Sequence, residues 1–281
     1  MSALTLGLLA ALMWGFHDVC VRFISQKTPL MASLLTVLVS GTLFHLIVMG
    51  AQKSELALPS HALGLSALSG VFFLIASLGL YAAFQRGPVR LVAPIIASFP
   101  VLSVGWAALN GSHISFWQLS AVAAIVVGVS VVAALSDESD GPTMPKGLTI
   151  IFATIASIGF AGTFALGQMA SAQAGELPVT LVTRLVAIAL LLIGMLALKL
   201  PLWPGKGALA ILALMGVADG IALLSINTAG HLPDAQYASV AASTFGLLTI
   251  VLAWLFLGEK MRALQWVGCV IAFCGIGYLA I

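Results

Sequence analysis

Ser136-Asp137-Glu138-Ser139-Asp140-Gly141-Pro142-Thr143-Met144-Pro145-Lys146 is the longest polar stretch of this 281-residue chain, and it falls almost at the midpoint. Its acidic residues, glycine and two prolines mark a linker rather than a folded element. On both sides the chain is overwhelmingly apolar. Hydrophobic residues make up 61% of it and charged residues 7%, against roughly 45–50% and ~25% in soluble domains. So few charges leave a surface that water wets poorly, whereas lipid requires no wetting along a protein's flanks. A water-soluble fold is thereby excluded. The net charge of +2 supplies none of the basic excess that a nucleic-acid partner calls for.

A helix that crosses hydrocarbon takes about 20 apolar residues at roughly 1.5 Å each. The chain divides into ten such lengths, near 3–24, 30–51, 62–84, 90–110, 116–136, 147–171, 178–199, 206–229, 235–257 and 262–281. The expected fold class is therefore all-α integral membrane, with a first five-helix unit over 1–136, a cytoplasmic linker over 137–146 and a second unit over 147–281. An odd number of spans per unit turns the second upside down, so the ten transmembrane helices form two inverted five-helix repeats. Internal matches agree. At an offset of 146, Phe99, Leu102 and Ala107 meet Phe245, Leu248 and Ala253; at 149, Trp117, Ala123 and Gly128 meet Trp266, Ala272 and Gly277.

Charge sets the orientation, because loops retained in the cytoplasm collect Lys and Arg. Nine of the eleven basic residues lie in or beside odd-numbered breaks: Arg22, Lys27, Arg86, Arg90, Lys146, Lys199, Lys206, Lys260 and Arg262. The even breaks hold only Lys53, and Arg184 lies inside a span. The odd breaks are expected in the cytoplasm and both termini in the periplasm, in a multi-pass protein of the inner membrane. Met1-Ser2 supplies no basic n-region, so the first span is read as a span and not as a cleavable signal.

Ionisable side chains inside such helices are the functional candidates, because a charge at mid-bilayer costs about 2.5–3.5 kcal/mol on insertion scales. Trp14, His17, Asp18 and Val21 recur at i, i+3, i+4 and i+7, so one face of span one carries a ring, an imidazole and a carboxylate and is expected to look inward. Asp18 serves a solute or proton there, or pairs with Arg22 one turn on; His17 joins it or donates to a backbone carbonyl. Arg184 in span seven and Asp219 in span eight lie roughly 10 and 15 Å from the outer face, depths that allow a pair. That pair is either a structural bridge or a cavity pair that opens to a charged solute. Gly216 and Gly220 flank Asp219 in a small-xxx-small pattern that predicts close helix approach. The 146-residue offset carries Trp14, His17 and Asp18 onto Phe160, Thr163 and Phe164. The expected cavity is ionic on one side and aromatic on the other, suited to an amphipathic or aromatic metabolite, with core packing the alternative for the two phenylalanines. Tyr81 and Gln85 add hydrogen-bonding groups from span three. Pro94 and Pro100 bend span four, as a gating hinge or a fixed kink.

Several of these features together resemble the drug/metabolite transporter superfamily, and its EamA-type members in particular. They are Trp14-Gly15 followed by Arg22, the Pro94 and Pro100 pair, and Phe256-Leu257-Gly258-Glu259-Lys260 followed by Trp266, Gly268 and Gly277. The first repeat departs by carrying Asn110 or His113 in place of Glu259, and the second by carrying Gly246 in place of Pro100. The resemblance implies movement of a small organic solute by alternating access without ATP. Glu259, Lys260 and Arg262 are expected to cap and anchor their turn.

Other classes fit less well. HExxH and GxSxG are both missing from the sequence, so no intramembrane enzyme is expected. A channel calls for a polar stripe along several helices, and polar residues here are scattered. A non-transporting membrane scaffold is the remaining alternative, and it gives no reason for Asp18, Arg184 and Asp219 to leave water. Cys20, Cys269 and Cys274 lie in apolar runs without CxxC or metal-ligand spacing, so they are expected to pack as small apolar residues, with no cofactor or metal. The expected partners are a small-molecule solute, membrane lipid and either protons as coupling ion or a second solute in exchange.

Overall fold

The computed structural model describes residues 2–109, 113–135, 146–230, 232, 241–242 and 244–279. Linker residues 137–145, Asn110 and residues 235–240 of the ninth expected span lie outside the described residues. Among the described residues every regular element is a helix. They are α1 (Ala3–Ile24), α2 (Leu30–Gln52), α3 (Ser60–Arg86), α4 (Val89–Ala97), α5 (Phe99–Leu109), α6 (Phe116–Leu135), α7 (Lys146–Ala174), α8 (Glu176–Ala197), α9 (Lys206–Gly230), α10 (Phe245–Phe256) and α11 (Ala263–Leu279). Hydrocarbon explains the uniformity, since backbone groups with no water beside them must bond within their own segment. Seven of the described helices, namely α1, α2, α3, α6, α7, α8 and α9 over Lys206–Ile226, are long and apolar enough to cross a bilayer. Their outward faces present Ile47, Ile193 and other large apolar side chains, as a lipid-facing flank requires.

The fourth span departs from the single helix expected over 90–110. It is α4 and α5, separated at Ser98, whose ψ is 4°. Pro94 lies inside α4 and Pro100 is the second residue of α5. Each lacks the N–H that would bond four residues back, and each disfavours the helical region for the residue before it. Ser98 covers the gap, its N–H and hydroxyl both reaching the Ile95 carbonyl, at 3.3 and 2.7 Å.

The two halves pack through each other. α3 lies against α7 and α1 against α9; α3 meets α8 and α2 meets α9; α4 meets α7 and α1 meets α10. Exchanging the halves turns each pairing into its companion, while α2–α8, α4–α10 and α6–α11 map onto themselves. Glycines repeat the correspondence at atomic scale. A Cβ on Gly70 would lie 2.7 Å from the Thr183 carbonyl oxygen, and one on Gly216 2.5 Å from that of Val37. Both members of the second contact stand 146 residues from those of the first. The carbonyls of Ser66 and Leu212, also 146 residues apart, each accept from a hydroxyl across the crossing: Thr183 donates to the first at 3.2 Å and Ser40 to the second at 3.5 Å. Helices in lipid gain no hydrophobic drive from pairing, so backbone approach at small residues supplies the attraction. The close approach expected at Gly216 and Gly220 is thus made, against Val37, Gly41 and the ring of Phe44 in α2.

Sequence breaks sort by end. At one end Arg22 of α1 reaches the carbonyl of Phe84 in α3, Arg90 of α4 reaches that of Lys260, and Arg86 lies 5.3 Å above the Phe152 ring of α7. Breaks one, three, five and nine therefore meet there. At the other end His61 lies 3.1 Å from Gln173, joining breaks two and six.

Candidate solute site

Small residues bring α1 close to its neighbours. Ala10 and Ala11 are fully covered, and a Cβ on Gly15 would lie 3.2 Å from Leu248 Cβ in α10. That approach aims Trp14 across at α9, where its Nε1–H donates to Asp219 Oδ1 at 3.0 Å. Arg184 Nη2, from α8, donates to the other carboxylate oxygen. Three helices and both halves of the chain thus meet on one carboxylate.

The two charges are not equally hidden. Arg184 is 1% exposed, whereas the Asp219 side chain is 17% exposed. The guanidinium fits because α2 offers Gly41, where a Cβ would lie 2.6 Å from Nη1, and because the Phe73 ring lies 5.9 Å from Cζ. Arg184 Nε and Nη1 find no acceptor among the described residues. With a donor on each oxygen the carboxylate is held in place, and the guanidinium behind it offsets the cost of withdrawing it from water.

His17 Nδ1 and Asp18 Oδ1 lie 3.1 Å apart. The alternative pair with Arg22 does not form, because that guanidinium donates to the Phe84 carbonyl at 2.7 Å and approaches Glu259 instead. Asp18 is left with the imidazole of His17. The His17 ring stands edge-on to Tyr81, centroids 6.3 Å apart, and the buried Tyr81 hydroxyl has no partner among the described residues. An imidazole beside a carboxylate is a pair that holds or passes a proton.

The residues that the repeat matches to Trp14 and Asp18 are aromatic and pack together. Phe160 and Phe164 of α7 stack at 6.1 Å, and Phe99 of α5 tilts onto Phe164 at 5.2 Å. Thr163 does not join them as a polar group. Its hydroxyl donates to the Gly159 carbonyl at 2.8 Å in its own helix, and its carbonyl accepts from Ser69 at 3.0 Å. Gln85 lies away from the site as well, donating to the Ser25 carbonyl at 2.8 Å. Pro94 is buried within α4.

Sequence reasoning passed over Phe99 and Phe245. Phe245 packs edge-on to Trp14 at 6.0 Å, and the two phenylalanines are the very pair matched by the 146-residue offset. A match between repeats at large rings was therefore a signal for the site. It also passed over His45, whose Nε2 lies 3.1 Å from the Leu177 carbonyl. No group of three or more His, Cys, Asp or Glu side chains able to hold a metal occurs among the described residues.

A helical membrane protein with interlocked halves, holding a compensated carboxylate and an imidazole–carboxylate pair inside its spans, belongs by architecture with the membrane transporters. The chain is a member of the EamA-like transporter family, which it matches twice, over residues 1–134 and 147–281. It is a multi-pass membrane transporter of the drug/metabolite type. An uncharacterized protein of Methanocaldococcus jannaschii is 26% identical over 129 residues, which cover 46% of this chain and 93% of that relative. The relative is thus about as long as one half of this chain. A crystal structure described only as that of a protein superposes with a TM-score of 0.67 at 16% identity, covering 99% of this chain and 96% of the other. At that identity the likeness concerns the fold alone.

Proposed function

We propose that the protein is a ten-helix secondary transporter, two inverted five-helix repeats (1–136 and 147–281) joined by a cytoplasmic linker over 137–146. It lies in the inner membrane with both termini periplasmic and moves a small amphipathic or aromatic metabolite by alternating access. The exchange of helix pairings between halves supports the repeat, and the gathering of basic residues in the odd breaks supports the orientation.

One observation carries the reading: Asp219 is gripped by Trp14 and Arg184 from two other helices, at membrane depth and beside the His17–Asp18 pair. Charges are placed inside lipid-length helices where a solute or ion passes. In this reading Trp14, Phe160 and Phe164 flank the apolar part of the solute. Asp219, Arg184 and Tyr81 meet its polar groups, and Thr163 shapes the wall by fixing α7 against α3. His17 and Asp18 carry the coupling proton, with solute-for-solute exchange as the competing mode. Pro94 and Pro100 let α4 and α5 move separately as the cavity changes sides.

Thermal unfolding of the purified protein against a metabolite panel tests this, because a solute that binds the folded state raises apparent stability. A stabilising metabolite should then enter vesicles containing the protein, and Asp219→Asn should abolish both effects. Uptake that responds to an imposed pH gradient supports proton coupling; trans-stimulation without such a response assigns exchange. Normal uptake by Asp219→Asn would remove that carboxylate from the mechanism.

A further inference from the structure

At the end where breaks one, three and nine meet, polar groups tie four segments together. Glu259, in the turn after α10, accepts from the backbone N–H of Val89 at 3.0 Å and from that of Arg90 at 3.3 Å. These are the first two residues of α4, whose N–H groups have no carbonyl within the helix and whose dipole favours a negative charge. Glu259 Oε1 also lies 3.7 Å from Arg22 Nε. Arg22 passes the connection to α3 through the Phe84 carbonyl at 2.7 Å, and α3 returns it to the end of α1 through Gln85 and the Ser25 carbonyl at 2.8 Å. Arg90 closes the circuit on the Lys260 carbonyl at 3.0 Å. Gly258, with φ 67°, makes the turn that brings Glu259 over α4.

Arg22 and Arg90 are only 9% and 3% exposed, so these bonds form largely out of water, where a charge parted from its partner is costly. The Arg22–Glu259 pair lines a cleft of about 570 Å³ at this end, with Lys27, Pro88 and Lys260 also on its walls. The other repeat offers no such carboxylate. Asn110 or His113 stands at the sequence position matching Glu259, and Gln168 at the one matching Arg22. At these matched positions the charged residues are thus encoded in one repeat and not in the other.

We infer that Glu259 is a latch that holds this mouth shut, so that the resting protein favours the state open to the opposite face. The inference rests on the transporter reading and names the residue that sets its conformational balance. Opening this side requires Glu259 to leave the α4 N-terminus and Arg22 together. A solute drives that change only by binding the other state better.

The test is double electron–electron resonance on the full-length protein in nanodiscs, with Cys20, Cys269 and Cys274 replaced by Ala. One label pair, at Lys27→Cys and Lys260→Cys, spans the latched mouth; a second, at Lys53→Cys and Gln173→Cys, spans the opposite end. Glu259→Gln should raise the ratio of long to short distances across the first pair about tenfold or more, and shorten the second. Arg22→Gln should act in the same direction, and Glu259→Asp should fall between it and the wild type. If Glu259→Gln fails to yield monodisperse protein, Arg22→Gln carries the test, since it leaves the α4 cap in place. Unchanged distributions at both mouths in the folded variants would overturn the latch. That result is independent of whether any metabolite stabilises the protein, so a failed latch and a failed transport reading are told apart.

Discussion

The α1–α9 joint and the α7–α3 joint occupy matching positions in the two halves, yet one is ionic and the other apolar. In the first, Trp14, Arg184 and Asp219 bond to one another. Of the positions that match them, Leu38 lies in the main apolar core, and Phe160 and Phe73 are partly buried and pack against it. At the neighbouring α2–α9 and α3–α8 crossings the backbone contacts are alike, Gly216 against Val37 and Gly70 against Thr183. Packing and chemistry are thus separable: the same helix crossing is built twice, and only one copy carries charge. Stability is served by either version, and the proposed function gives the ionic one a reason to carry charge.

The largest effect expected from breaking the contrast is at Arg184. Arg184→Leu leaves Asp219 with Trp14 alone in a largely buried place, and losing one partner of such a pair costs about 3–5 kcal/mol. The triple variant Trp14→Phe/Arg184→Leu/Asp219→Phe installs the residues of the apolar joint. It should recover most of that stability while losing all stabilisation by metabolites. Unfolding in mixed micelles, with and without the stabilising metabolite, reads both quantities. A triple variant that still responds to the metabolite would break the assignment of solute binding to the ionic joint.

Next in size are the glycines of the neighbouring α2–α9 and α3–α8 crossings. Gly216→Ala and Gly70→Ala each push a methyl group against a backbone carbonyl of a neighbouring helix, and overpacking of that kind costs about 1–3 kcal/mol. Similar losses in the two variants, measured by the same unfolding assay, would sharpen the equivalence of the crossings. A loss confined to one of them would break it.

Much of this was legible in the sequence because a helix is a rigid ruler. Rise per residue gave Arg184 and Asp219 similar depths, and the i, i+3, i+4 spacing put Trp14, His17 and Asp18 on one face. What stayed hidden were choices among competing partners. Trp14 and Asp219 are 205 residues apart, and nothing local joins them. Arg22 had an acceptor one turn away in Asp18, but the open C-terminal carbonyls of α3 and the carboxylate of Glu259 lie within reach only after folding. The prolines announced a bend in span four, yet whether the helix bends or stops depends on Ser98, whose side chain satisfies the broken turn. The spacing put Thr163 on one helix face with Phe160 and Phe164, but a hydroxyl in a helix readily turns back to the carbonyl four residues behind it, and here it does.

The smallest effect tests the aromatic side by itself. Phe164 stands between Phe160, stacked at 6.1 Å, and Phe99, tilted at 5.2 Å, so Phe164→Leu keeps an apolar side chain while removing both ring contacts. Aromatic pairs contribute about 0.5–1.5 kcal/mol each beyond the area they bury, and the unfolding free energy should fall by an amount of that order. Core packing alone predicts this loss and nothing more. A wall that also stacks on the solute predicts in addition a weaker metabolite affinity, visible as a smaller thermal shift at the same metabolite concentration. A drop in stability with an unchanged shift would assign the three rings to the core and leave recognition to the ionic joint.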